Sequence, residues 1–309
     1  QDGSLLRQAL ALQGLRVLGV GREGLEVFDR LGNRVSNRPG KINLGQLVQE
    51  ELPSEIYYLA AEHSSSEGES TAAISSASYA KYHQTNVSDF LAVLDAVKNH
   101  TPSSRVFYSS SCHVFGPGEH RSLSESSPFM PESYYGITKA QAIWLCQKFR
   151  REAGLHVSCG ILFNHESHLR KKTFFTSKVI LGALDVKKGL ISEVFVRNLD
   201  ARADWGYAPE FVEAFQILVR ADNPGDFVIA TGQTRTARDF VSAVFRSLDL
   251  DWTDYVREEE PVPLFSKNFE AADPSKLFTT TSWRPKWSFE DFVAQLVSDH
   301  HAHSEGRSV

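Results

Sequence analysis

Tyr135 and Lys139 stand four residues apart in the run Tyr135-Gly-Ile-Thr-Lys139. On a helix that spacing lays both side chains on one face. A phenol titrates near 10, so serving as a base at neutral pH requires a fall of about three units, or roughly 4 kcal/mol. A unit positive charge about 4 Å away at an effective dielectric of 20 supplies about that much. The pair therefore reads as a phenol base and its activating ammonium. Alone the spacing is weak, because a surface tyrosine beside a solvated lysine shares it. The upstream run Ser109-Ser-Ser-Cys-His-Val-Phe-Gly116 adds the missing context. Small hydroxyls directly after an apolar strand can hydrogen-bond a substrate oxygen beside the phenol; the plainer alternative is a serine-rich turn. Ser111, His113, Tyr135 and Lys139 are thus the catalytic candidates.

Such a set needs a scaffold that brings a strand end to a helix start. Arg16–Val20, Ile56–Ala60, Arg105–Ser109, Val157–Phe163 and Phe227–Thr231 are short apolar strand candidates. Between them, helical periodicity runs through Leu44–Val48, Asn86–Asn99, about 135–152, 209–220 and 236–248, with a closing helix at Phe289–Val297. Residues 64–78 read as a polar loop, and Pro117, Gly118, Pro128 and Pro131 mark another. The stretch after Ser4 is helical with no strand before it. Alternation of this kind predicts an α/β fold with a doubly wound parallel sheet, ligands lying beyond the carboxyl ends of the strands. The expected division is 1–163 for cofactor binding, and 164–309 mainly for substrate, interwoven with the first part.

Composition narrows the partners. The 309 residues carry a formal charge of -5, with 41% hydrophobic and 23% charged residues, as in an ordinary globular protein. That balance argues against nucleic acid or an anionic membrane surface. No apolar run reaches the roughly 18 residues of a membrane span, and the start does not resemble a signal peptide. Cys112, Cys146 and Cys159 are odd in number and lack metal-ligand spacing, so a reduced cytoplasm and no metal are expected.

At this point the sequence resembles the extended short-chain dehydrogenase/reductases, and among them the GDP-mannose 4,6-dehydratase family. The marks run nearly end to end: Gln1-Asp-Gly-Ser4, Glu55-Ile-Tyr-Tyr-Leu-Ala-Ala61, Tyr134-Tyr-Gly-Ile-Thr-Lys139 and Ile161-Leu-Phe-Asn-His-Glu-Ser167. Further on come Asn198-Leu-Asp-Ala-Arg202, Asp204-Trp-Gly206, Asp226-Phe-Val-Ile-Ala-Thr-Gly232 and Asp273-Pro-Ser-Lys276. The resemblance implies a Rossmann-like sheet and a nicotinamide cofactor. It also implies a nucleotide-activated sugar (a GDP-hexose favoured) and a homo-oligomer. Gly3, Leu59, Ala60, Ala61, His165 and Arg170 match cofactor-contacting positions, beside Tyr135 and Lys139. Ser111, Asn164, Lys178 and Arg202 are the substrate-side candidates. Arg22 follows the second strand where no carboxylate ends it, which favours the 2′-phosphate and hence NADP over NAD. The family's first strand ends in a Gly-x-x-Gly-x-x-Gly turn that cradles the pyrophosphate. Gly3 matches the third glycine, so roughly ten further residues are expected upstream of Gln1.

Three positions depart from the family. Its catalytic glutamate is replaced by His113, an imidazole able to carry a proton near neutrality. Cys112 is a second conceivable proton carrier. The arginine before the Asp-Trp pair is replaced by Ala203, with Arg202 one position earlier. The Arg-Pro-x-Glu segment is replaced around Pro263-Leu-Phe-Ser-Lys267. Each lost charge-assisted contact costs about 1.5–3 kcal/mol. Three readings follow: a dehydratase that oxidises C4, removes water across C5/C6 and re-reduces; a 4-keto sugar-nucleotide reductase or epimerase; or a cofactor-binding partner without turnover. The first is favoured because the resemblance covers the whole chain.

Overall fold

In the computed structural model, residues 1–62, 75–116, 122–259 and 271–304 are described. Pro117, Gly118, Lys267 and the whole Pro263–Lys267 segment lie outside them. The chain opens with α1 (Asp2–Leu12), then β1 (Val17–Gly21), β2 (Gly24–Phe28), β3 (Arg34–Pro39), α2 (Leu44–Glu51) and β4 (Glu55–Tyr58). There follow α3 (Ser76–His83), α4 (Asp89–His100), β5 (Arg105–Ser111), α5 (Tyr134–Ala153), β6 (His156–Leu162), β7 (Asn164–Glu166) and α6 (Phe175–Lys187). The remainder comprises β8 (Val194–Val196), β9 (Arg202–Tyr207), α7 (Ala208–Arg220), β10 (Asp226–Ile229), β11 (Thr234–Thr236) and α8 (Ala237–Arg246). Short α9 (Trp252–Tyr255), β12 (Val256–Glu258) and α10 (Ser275–Thr280) precede α11 (Phe289–Ser304).

The central sheet is parallel, in the order β10-β6-β5-β4. Its two faces are written in the alternation of β5, since successive strand residues point to opposite sides. Val106 and Tyr108 join the cluster that includes Phe90, Leu94 and Val97 of α4 and Ile143 of α5. Phe107 joins the other cluster, with Leu6 and Leu10 of α1 and Phe211 and Phe215 of α7. Helices thus cover both faces, the doubly wound α/β arrangement. β10 returns from the second half of the chain to pair with β6. A third cluster lies beneath α6, α8 and α11, around Trp205 and Phe240.

Two features differ from the sequence expectation. β1 does not join the parallel sheet; it pairs antiparallel with β2, and β2 with β3, in a separate three-stranded sheet. β2 is only five residues long, and β3 is exposed along its whole length with mostly charged and polar residues, so neither stands out as a strand in the sequence. Residues 76–78 open α3 instead of continuing a loop, because the Ser75 hydroxyl accepts the Ser78 N–H at 3.1 Å and caps the helix.

Asp204 shows how the third cluster is tied to the sheet. This carboxylate is buried and accepts hydrogen bonds from the N–H groups of Thr231, Gly232 and Gln233 and from the Thr231 hydroxyl, at 2.7–3.0 Å. Burial pushes its pKa up to about 6 against those four bonds. It locks β9 to the turn after β10.

Candidate active site

The site is assembled where β5 ends and α5 begins. Ser133 caps α5, its hydroxyl accepting the Gly136 N–H at 3.0 Å. That cap places Tyr135 and Lys139 in the first two turns, on the side facing the end of β5. The close approach depends on Gly136, where an added Cβ would stand 2.4 Å from the His113 carbonyl oxygen. Any side chain there must push the helix start and the His113 turn apart. Gly136→Ala is expected to cost about 1–3 kcal/mol of stability and at least ten-fold in turnover, as read by thermal unfolding and steady-state kinetics.

Ser111 ends β5, is buried, and accepts the His113 N–H at 3.3 Å. Its hydroxyl also hydrogen-bonds the Tyr135 phenol. The His113 ring meets the Tyr135 ring edge-on, centroids 5.6 Å apart and planes at 78°. Lys139 is 1% exposed and donates to the Ser109 carbonyl at 2.6 Å. Its Nζ lies 4.7 Å from the Tyr108 ring centre and 5.7 Å from that of Tyr135. Ser111, His113, Tyr135 and Lys139 are therefore brought together in one place.

The electrostatics differ from the sequence expectation. Burial pushes the half-buried Tyr135 phenol above its ordinary value, although the Ser111 hydrogen bond and the Arg170 charge pull it down. Burial also lowers Lys139 to about 7. The ammonium is itself desolvated, so at neutral pH the lysine carries only part of the charge it was expected to lend. Cys112 is no proton carrier: burial pushes its thiol up to about 12. All three cysteines are buried and free.

The cofactor-side candidates flank this centre. The start of α1 bears Gly3, where an added Cβ would meet nothing within 4 Å, and no side chain caps that helix end. Leu59, Ala60 and Ala61 follow β4; Leu59 packs against the Phe107 cluster, and the two alanines add little bulk. His165, buried on β7, bonds through Nδ1 with the Phe163 carbonyl at 2.7 Å and through Nε2 with Asp2 at 3.1 Å. Arg170 lies 3.4 Å from Glu166 without hydrogen-bond geometry, its buried Nε otherwise unmatched, and its guanidinium covers Phe174 at 4.2 Å. A helix start with a cation beside it fits a dinucleotide pyrophosphate. Arg22 sits on the β1–β2 turn, with its side chain 78% exposed and 3.4 Å from Glu62, which also pairs with Lys81 at 2.9 Å.

The substrate-side candidates are more dispersed. Asn164 is half-buried on β7, opposite Trp205 of β9. Lys178 is half-buried in the first turn of α6. Arg202 is exposed, opens β9 three residues before Trp205, and lends its charge to Asp239 at the start of α8. Ala203, at the position of the family's arginine, is buried.

Sequence reasoning missed several supports. Asn86 is fully buried, accepting the Glu62 N–H at 3.0 Å and donating to Thr138 at 2.9 Å, so it ties the end of β4 to α5. A polar residue inside an apolar-periodic helix was its only signal. Glu166, also buried, accepts the Thr176 hydroxyl at 2.7 Å. Asp2 and Gly136 were read only as parts of motifs.

Comparison with known proteins agrees with this geometry. Residues 1–296 match the family described as GDP-mannose 4,6 dehydratase. GDP-mannose 4,6 dehydratase 2 of Arabidopsis thaliana is 30% identical over 321 aligned residues, 97% of this chain and 84% of that protein. A GDP-mannose 4,6-dehydratase of Sinorhizobium fredii is 28% identical, over 99% of this chain and 95% of its own. Among solved structures, RMD from Pseudomonas aeruginosa, complexed with NADPH, superposes with a TM-score of 0.75 at 19% identity, covering 86% of this chain and 89% of that one. A dTDP-glucose 4,6-dehydratase from Bacillus anthracis, in complex with NAD, gives 0.73 at 18% identity, covering 87% and 80%. The structures carry the fold alone, but the match through residue 296 carries more: this chain belongs to the GDP-mannose 4,6-dehydratase family.

Proposed function

We infer that the protein is an NADP-dependent enzyme that modifies a nucleotide-activated sugar, most closely as a GDP-mannose 4,6-dehydratase does. The observation that supports this best is the convergence of Ser111, His113 and Tyr135 over the buried Lys139. When bound, the nicotinamide supplies the hydride acceptor and donor. Gly3, Leu59, Ala60, Ala61, His165 and Arg170 would hold the dinucleotide, and Arg22 its 2′-phosphate. Ser111 would hold the C4 oxygen of the sugar, and Tyr135 would exchange the proton on it. Lys139 fixes the end of β5 through Ser109 and lends partial charge. His113, edge-on to the phenol, would take the C5 proton before water leaves from C6. Asn164, Lys178 and Arg202 are the proposed contacts to the rest of the substrate. Residues 1–163 would serve the cofactor and 164–309 mainly the substrate, in a cytoplasmic homo-oligomer. Among the described residues, no helix is long and apolar enough to cross a membrane.

One observation favours a second reading. An imidazole where the family has a carboxylate, together with the buried Ala203, suits reduction or epimerisation of a 4-keto sugar nucleotide, which needs no elimination. Incubation with GDP-mannose and NADP, and separately with 4-keto sugar nucleotides and NADPH, distinguishes the two. Loss of water by mass is expected in the first arm. Net NADPH consumption only in the second would establish the reductase, and cofactor binding without turnover in either would leave a partner protein. His113→Ala is expected to lower elimination by about 10²–10⁴-fold while sparing simple ketone reduction. Unchanged water loss in that variant would remove His113 from the reaction.

A further inference from the structure

We propose that Asp2 and His165 form a charged clasp that ties the start of α1 to β7 and so sets the cofactor cleft, with Asp2 a positioning residue acting through His165. His165 Nδ1 lies 2.7 Å from the Phe163 carbonyl, which can only accept. Nε2 lies 3.1 Å from Oδ2 of Asp2. Oδ1 of Asp2 accepts the Gln1 amide N–H at 3.0 Å, and a carboxyl that titrates near 4 is ionised at neutral pH, so Oδ2 also only accepts. Both ring nitrogens must then donate, which only the imidazolium can do. Burial opposes that charge most strongly, but the Asp2 charge and hydrogen bond together with the Phe163 carbonyl outweigh it, raising His165 above its ordinary value.

The groups facing the ring from each side agree. α1 presents Asp2; the 167–170 loop presents Arg170, whose charge opposes protonation; α7 presents Phe211, stacked at 4.7 Å and 14°. The clasp is doubled by Gln1, whose Nε2 donates to the His165 carbonyl at 3.0 Å and whose Oε1 accepts the Ser167 hydroxyl at 3.0 Å. The helix start that bears Gly3 and the segment that bears Arg170 are thereby held as one unit. The Asp2 charge also reaches Tyr135 and Lys139, raising both. A pair that sums to zero charge keeps that influence small.

The test uses the cofactor-free protein first. Long-range ¹H–¹⁵N spectra are expected to show both His165 ring nitrogens protonated at pH 7.5. Asp2→Asn keeps an acceptor but removes the charge, and is expected to lower the proton affinity of His165 at least ten-fold. Asp2→Glu should restore most of it. NADP affinity, read by calorimetry, is expected to fall at least ten-fold in Asp2→Asn, and to fall in the unaltered protein as pH rises through the His165 titration. A neutral His165 at pH 7.5, or a titration unmoved by Asp2→Asn, would overturn the clasp. The affinity readings rest on the cofactor assignment above, whereas the spectra do not. An intact imidazolium in a protein that binds no NADP would refute the assignment and leave the clasp standing.

Discussion

Tyr135→Phe is expected to lower turnover by about 10²–10⁴-fold, the range typical of removing a positioned acid–base group, while the fold and cofactor affinity survive. The substitution deletes one oxygen and keeps the ring that packs edge-on against His113. Ser111 loses the phenol but still accepts the His113 N–H, so the end of β5 keeps its cap. Stability should change by no more than about 1 kcal/mol, the usual net worth of one hydrogen bond. NADP affinity should move only a few-fold, since the ring stays in place. Single-turnover kinetics with a fluorescence titration of the cofactor separate the two effects. A variant that keeps a tenth of the activity would show that the proton on C4 travels another way.

The same residue shows what the sequence could and could not convey. The four-residue spacing put Tyr135 and Lys139 on one helix face, and the structure does place them together over Ser109 and Ser111. The sign of the electrostatic effect was not legible, because spacing fixes direction along a helix but not burial. Lys139 is enclosed by Tyr108 and the β5 backbone, so desolvation dominates both groups. The parallel strands β4, β5, β6 and β10 were readable as continuous apolar runs, as expected for strands buried on both faces. The β1–β2–β3 sheet was not, since β3 is exposed along its whole length and Val35 alone gives no alternation. Arg22 shows the same limit: its position after a strand was visible, but its 3.4 Å pairing with Glu62 depends on where β4 ends in space.

Residues that act across the chain were the hardest to foresee. Asp2 and His165 are 163 positions apart, and nothing in either segment alone distinguishes an ion pair from two motif residues. Gly136 matters because of a carbonyl 23 residues upstream, and Asn86 because it meets Thr138 52 residues later. Each is a contact that only the sheet order creates. By contrast, the helix ends followed local rules: Ser133 and Gly154 bound α5 as cap and left-handed terminator, the latter with φ 64°.

The second large effect concerns Lys139, where activity and stability are expected to move in opposite directions. In the folded chain burial lowers its pKa to about 7 from an ordinary 10.5. Below pH 7 both the folded and unfolded states hold the proton, and the folded state bears the full cost of a buried ammonium. Between about 7 and 10.5 the unfolded state binds more protons, so stability rises with pH across that window. At about 1.36 kcal/mol per unit, the cost at the acid end is on the order of 5 kcal/mol. Lys139→Met removes it, but leaves the Ser109 carbonyl without its donor, which returns about 1–3 kcal/mol. The variant should therefore unfold at a higher temperature than the parent at pH 6. The gain should shrink as pH rises, and near pH 10 the order should reverse, because a neutral lysine still donates to Ser109. Turnover should be lost at every pH. Calorimetric unfolding of both proteins from pH 6 to 10 reads the crossing directly. Parallel curves with no crossing would mean that Lys139 keeps an ordinary proton affinity in the folded chain, and that its charge is fully available to the phenol.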